Sequence, residues 1–220
     1  MIRIWKPILS CLSLFATLLV ANVAGAQSLS DFKDAAGETG CKAIPYSSLR
    51  SSCESKQRDI DTSCKVESWT CDKLNPEGLK KQIENVKGKI EELKKEKQSL
   101  ESKKPGAKDD TEKREIENKI SETEKEIRKF EEMIDGWQKK LEDERKEIRE
   151  RISMGEKCRD ARQDQIKIFA EAKSKAKGET DAEIRPYAQK LVEKYEAGER
   201  GHENVLDLVK RGIEKCKGML

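Results

Sequence analysis

Aromatic side chains are scarce in this sequence, at 5% of 220 residues. So few rings exclude a base-stacking platform for single-stranded nucleic acid. The chain has no G-x-S-x-G, no phosphate-binding glycine loop, no H-E-x-x-H and no Cys-x-x-Cys, the spacings that carry nucleophilic, nucleotide, zinc-peptidase and thiol-redox chemistry. Histidine occurs once, as His202. A structural zinc site needs clustered Cys and His ligands, and the gaps Cys53-x10-Cys64-x6-Cys71 do not match one. Carboxylates are everywhere, but acids on solvated helix faces are not a buried dyad with split pKa values. The expectation is a protein that is not an enzyme, with no catalytic residues, no metal ligands and no cofactor.

A surplus of one charge is also missing. The 46 basic and 43 acidic residues become 44 and 43 once Arg3 and Lys6 are set aside. Nucleic-acid binders carry a basic excess on one face, whereas here Lys and Glu alternate as on a solvated helix. A nucleic-acid partner is therefore not expected. Charged residues make up 40% of the chain, which leaves too little apolar matter for a thick core. The regular placement of that apolar matter argues for long helices and against disorder.

The one long uncharged stretch is at the start. Arg3 and Lys6 precede an apolar run from Ile8 to Val23, and Ala24-Gly25-Ala26 stands before Gln27. This is the layout of a secretory signal peptide over residues 1–26, with cleavage set by Ala24 and Ala26 before Gln27. The protein is expected to be exported, periplasmic or extracellular, touching a membrane only if that segment stays attached. Cys11 lies too early in the apolar run to be a lipid-attachment site. Six further cysteines remain, Cys41, Cys53, Cys64, Cys71, Cys158 and Cys216. An even number in an exported chain is a disulfide signal.

Residues 27–75 read as a cysteine-rich head, with a helix over Ser47 to Cys64. Asn75 and Pro76 then form a cap and first turn for a new helix. Apolar residues follow at Leu79, Ile83, Val86, Ile90, Leu93 and Leu100, with Lys97 in the missing place. A second seam runs through Ile116, Ile120, Thr123, Ile127, Phe130, Ile134, Trp137 and Leu141. Both have heptad spacing. In an antiparallel hairpin the numbers of facing residues sum to a constant. Leu93 with Ile120, Val86 with Ile127 and Leu79 with Ile134 all give 213, which centres the reversal between Gly106 and Ala107. Pro105-Gly106 breaks a helix, and Asp109 with Glu112 caps the next one. The tip is Lys104, Pro105, Gly106, Ala107 and Lys108, and residues 76–177 form a coiled-coil hairpin.

Gly178 is a helix stop, and Thr180 with Glu183 predicts another cap, so residues 178–220 fold back as a C-terminal helix. Pairing Ile148 with Val209 and Ile152 with Val205 gives 357, which sets His202 opposite Gly155 as ordinary packing. Extending the two registers brings Cys71 and Cys216 to the middle of the central helix and Cys53 near Cys158. The expected bridges are Cys71–Cys216, Cys53–Cys158 and Cys41–Cys64.

The fold class expected is all-α. It is an elongated antiparallel coiled-coil bundle, a long central helix flanked by two fold-back helices, with a disulfide-stabilised N-terminal head. The function expected is binding, spacing or scaffolding in the cell envelope, through an unidentified protein partner or a homo-oligomer. Two alternatives stand beside it. Through Ala24-Gly25-Ala26 and the hairpin around Pro105-Gly106, the layout loosely resembles the Skp-type chaperones, which implies a periplasmic holdase. The near-neutral charge, six cysteines and lack of a strand-rich body depart from that pattern. The other alternative is an enzyme inhibitor that exposes a ridge from Ala43 to Glu67.

Overall fold

The computed structural model describes residues 27–220. The expected signal segment, with Ala24 and Ala26, lies outside them, and Gln27 opens the described chain. Among the described residues there are five α-helices and no strand. The helices are α1 (Leu29–Gly37), α2 (Ser47–Ser63), α3 (Pro76–Lys103), α4 (Asp110–Lys177) and α5 (Arg185–Lys217). Short 3₁₀ turns occupy Gly40–Ala43, Val66–Ser68 and Lys104–Gly106.

Local chemistry starts each long helix. Asn75 accepts the Gly78 amide at 3.0 Å, and Pro76 takes the first position, where no amide partner is needed. Asp109 accepts the Glu112 amide at 2.8 Å, while the Glu112 carboxylate accepts the Lys108 amide at 2.7 Å. From there α4 runs for 68 residues, about 100 Å at the rise of a helix. It is the spine on which every other helix but α1 lies.

The near half of α4 is covered by α3. One cluster holds Leu79, Ile83, Val86, Ile90, Ile127, Ile134 and Leu141, with Leu93, Phe130 and Trp137 partly buried against it. Charge supports the pairing. Lys104 of the turn meets Glu117 of α4 at 2.8 Å, while Lys80 and Lys94 pair within α3, with Glu77 and Glu91. Lys97 fills its seam position and reaches Glu124 at 2.7 Å, keeping its ammonium in water along an apolar stem.

The far half of α4 carries α5 and α2, so the bundle thickens there to three helices. α5 begins at Arg185, four residues beyond the start that Thr180 as a cap would give. Thr180 does not cap it. The Asp181 carboxylate instead accepts the Glu183 amide at 2.8 Å and the Ile184 amide at 3.3 Å, and the helix starts at Arg185. Phe169 lies against Tyr195 and Arg162 meets His202, which give 364, while Gly198 meets Phe169 and Gly155 meets Ile213, which give 367 and 368. The seam has therefore moved on from 357 by a heptad or more. His202 does not face Gly155, whose place is taken by Ile213 and Trp69.

α2 runs antiparallel to α4. Lys56 pairs with Asp164 at 3.0 Å, a sum of 220, again about a heptad beyond an extension of the α3 register. The cause is the linker between α2 and α3. Extended backbone spans about 3.3 Å per residue against 1.5 Å in a helix, so the head is carried further along α4. That displacement decides the disulfides. Cys64, not Cys53, reaches Cys158, with Cα atoms 5.0 Å apart. Cys53 then bridges to Cys41 at 5.5 Å, in place of the expected Cys53–Cys158 and Cys41–Cys64 pairs. Cys71 is bridged to Cys216, also at 5.5 Å.

Candidate functional site: the clamped junction and its projecting hairpin

The bridges divide the molecule. Linker residues 64–71 are held at both ends, by Cys64–Cys158 to α4 and by Cys71–Cys216 to α5. Between the two bridges Trp69 is driven into the groove between α4 and α5. It packs with Cys158, Val209 and Ile213, with Ile152 and Val205 at the margin. Two glycines make the space. A Cβ on Gly212 would fall 2.6 Å from Trp69 Cε3, and one on Gly155 would fall 3.2 Å from Trp69 Cβ. The Trp69 indole N–H is buried with no acceptor, so the ring is held by shape. Arg151 donates to the Thr70 carbonyl beside it, and Ile148 completes a second small cluster with Cys71 and Cys216.

Further along α4, the head closes the end of the bundle. Phe32 and Ala35 of α1, Ala43, Ile44 and Cys53 pack with Phe169, Ala172, Leu191 and Tyr195. Tyr195 is fully buried, and its hydroxyl donates to the Ala43 carbonyl at 2.7 Å. Burial raises its pKa, so the phenol stays neutral and remains a donor. Lys194 donates to the Ala36 carbonyl at 2.7 Å and also bonds Glu38, setting a cation against the C-terminal end of α1. Within the expected ridge from Ala43 to Glu67, α2 turns Leu49, Cys53, Ile60 and Ser63 inward.

Between junction and head lies the one histidine. Arg162 Nη1 donates to His202 Nδ1 at 2.9 Å, so that ring nitrogen is the acceptor and the imidazole is neutral. Phe169 stacks on the ring with centroids 5.7 Å apart. Burial, and then the neighbouring Arg162 charge, push the His202 pKa down to about 4. Burial also lowers that of Arg162, against the pull of Asp61. An uncharged histidine without a carboxylate partner is a packing element here, not a general base poised near neutral pH. Among the described residues, no group of three or more His, Cys, Asp or Glu is arranged to hold a metal ion.

At the opposite end is the tip. Lys104, Pro105 and Gly106 form the 3₁₀ turn, Ala107 is extended, and Lys108 leads into Asp109. Lys104 is engaged with Glu117 at 2.8 Å, while Lys103 is exposed. The stretch from Leu141 to the tip spans about 48 Å at the helical rise. Its apolar cluster is made of α3 and α4 residues alone. The arrangement is mechanical: a clamped three-helix body from which a two-helix arm extends.

Sequence reasoning missed the Trp69 wedge, although Gly155 was read as a packing position on α4 and Gly212 lies three residues beyond Val209 on the face of α5 read as packed against it. Two glycines at level positions on neighbouring helices are the signal that a third element needs that space. A family model for synaptonemal complex protein 1 (SCP-1) matches residues 29–210, which takes in the head and most of all three long helices. The chain belongs to the SCP-1 family. Comparison with curated proteins and with solved structures gave no match. Membership in SCP-1 agrees with the geometry. This is a structural coiled-coil protein of non-enzymatic type, a helical bundle with disulfides. The SCP-1 match carries that structural class and says nothing about compartment.

Proposed function

We propose that the protein is an exported spacer or scaffold of the cell envelope, which holds a partner at a fixed distance by means of the two-helix arm. The observation that carries this reading is the division of α4, one half clamped into a disulfide-bonded body and the other half free as an arm. The export signal of residues 1–26 and three cystines in a chain of this size support an oxidising compartment, periplasmic or extracellular. The partner is a protein, bound by helix-on-helix contact. A homo-oligomer is one form this takes, since Leu93, Phe130 and Trp137 keep part of their surface in water along the arm.

The test is a matched deletion. Removing Lys94–Leu100 together with Lys113–Lys119 takes one heptad from each side of the hairpin, because both ends of the pair sum to 213. The arm shortens by about 10 Å with its seam and tip intact. A spacer then gives a changed partner distance or assembly size, read by cross-linking in the envelope and by light scattering. Unchanged assembly with unchanged partner recovery would dismiss the spacer role. A chaperone reading makes the opposite demand, that the purified chain suppress client aggregation.

A further inference from the structure

We propose that Cys41–Cys53 is a thiol-exchangeable disulfide whose reduced form is prepared for by Gln165, while the other two bridges are structural. Gln165 is fully buried on α4. Its amide orientation is fixed because Nε2 donates to the Cys53 carbonyl at 2.8 Å. That leaves Oε1 facing Cys53 Sγ at 3.1 Å, with Nε2 3.8 Å from Cys41 Sγ. A disulfide sulfur carries no hydrogen, so in the oxidised protein this buried oxygen has no N–H or O–H donor. Buried acceptors are almost always satisfied. The one state that satisfies this acceptor in place is the dithiol, in which Cys53 S–H donates to Oε1.

Access closes off Cys71–Cys216 but leaves both other bridges open, so Gln165 and the short loop are what single out Cys41–Cys53. Cys41 is partly exposed in its 3₁₀ turn, whereas Cys53 is at 0%. An external dithiol of the thioredoxin-like class would attack Cys41 Sγ as the thiolate. The bond to Cys53 breaks, Cys53 Sγ takes the electron pair and a proton, and its S–H turns to Gln165. The second thiol of the reductant then attacks the sulfur of its own mixed disulfide. This releases Cys41 as a thiol and leaves the reductant oxidised. Cys71 and Cys216 are both buried, and Cys158 is at 0% behind the partly exposed Cys64. The Cys41–Cys53 bridge spans 12 residues, against 94 and 145 for the others. It therefore constrains the unfolded chain least, and the body survives its opening.

The experiment equilibrates the intact protein in graded glutathione buffers, traps free thiols by alkylation and maps them by mass spectrometry. Cys41 and Cys53 are expected to become labelled first, with helical circular dichroism retained. Gln165→Met removes the acceptor at similar volume. It is expected to make Cys41–Cys53 harder to reduce by about 2- to 10-fold in equilibrium constant, with the other two bridges unmoved. Simultaneous reduction of all three bridges in the unaltered chain would overturn the proposal. So would a folded Gln165→Met variant with an unchanged Cys41–Cys53 equilibrium. Should that variant not fold, the labelling order in the unaltered chain decides alone.

Discussion

Trp69 occupies the space in which a side chain on Gly212 would stand, with Cε3 2.6 Å from the position of that Cβ. The ring cannot give way easily, since the linker is bridged on both sides through Cys64 and Cys71. Gly212→Ala is therefore expected to destabilise the fold by about 1–3 kcal/mol, as overpacking does. Gly88 and Gly201 are also helical, but exposed and with nothing near their Cβ positions. There Ala should stabilise by about 0.5–1 kcal/mol through helix propensity. Urea unfolding of the three variants checks the change of sign.

The single histidine gives a pH dependence that can be assigned. His202 has a folded pKa pushed down to about 4, while in the unfolded chain it titrates near 6.5. Between those values the unfolded chain binds a proton that the folded chain does not, so stability falls as pH falls. Its contribution is whole above about 6.5 and is lost on the way to about 4. The ring is only partly buried, so screening reduces this to about 1–2 kcal/mol. His202→Asn should flatten the stability profile between pH 7 and pH 5, as followed by chemical denaturation.

The three bridges should differ in what they contribute. In the chain-entropy account, stabilisation grows slowly with the loop closed. Replacing Cys71 and Cys216 by Ser, 145 apart in sequence, should cost most, on the order of 4 kcal/mol. Replacing Cys41 and Cys53, 12 apart, should cost about 1–2 kcal/mol less. Thermal unfolding of the two double variants gives the order.

Removing Lys94–Leu100 alone, without its partner heptad on α4, is expected to strand one heptad of the α4 seam. Ile116, opposite Lys97 in that register, would then lack a facing residue, or the tip would melt to restore the register. Small-angle scattering and proteolysis near Gly106 should show a disordered tip in the single deletion and a shorter, intact arm in the matched one.

The α3–α4 hairpin was legible because its reversal is chemically marked. Pro105-Gly106 and the Asp109–Glu112 cap mark where the chain turns, and α3 ends and α4 begins on either side of them. The α4–α5 reversal was read at Gly178–Glu179, a few residues before the middle of the connection between Lys177 and Arg185. Thr180 and Asp181 are both plausible caps, and hydrophobic spacing is unchanged by a slide of seven residues. Gln165 was not legible as a site, because a polar residue on a charged helix gives no sign that a disulfide will lie over it.

The sequence by itself determined the helices, the position of the arm's tip and the presence of a cysteine-rich head, since periodicity, breakers and caps are local. Only the tertiary structure decided which cysteines meet and which residues His202 and Trp69 touch. Both depend on axial displacement along α4. That displacement is set by how far the non-helical linkers extend, and by long-range contacts such as Tyr195 with Ala43 and Cys71 with Cys216. A repeating seam has the same energy at every heptad until such contacts choose one.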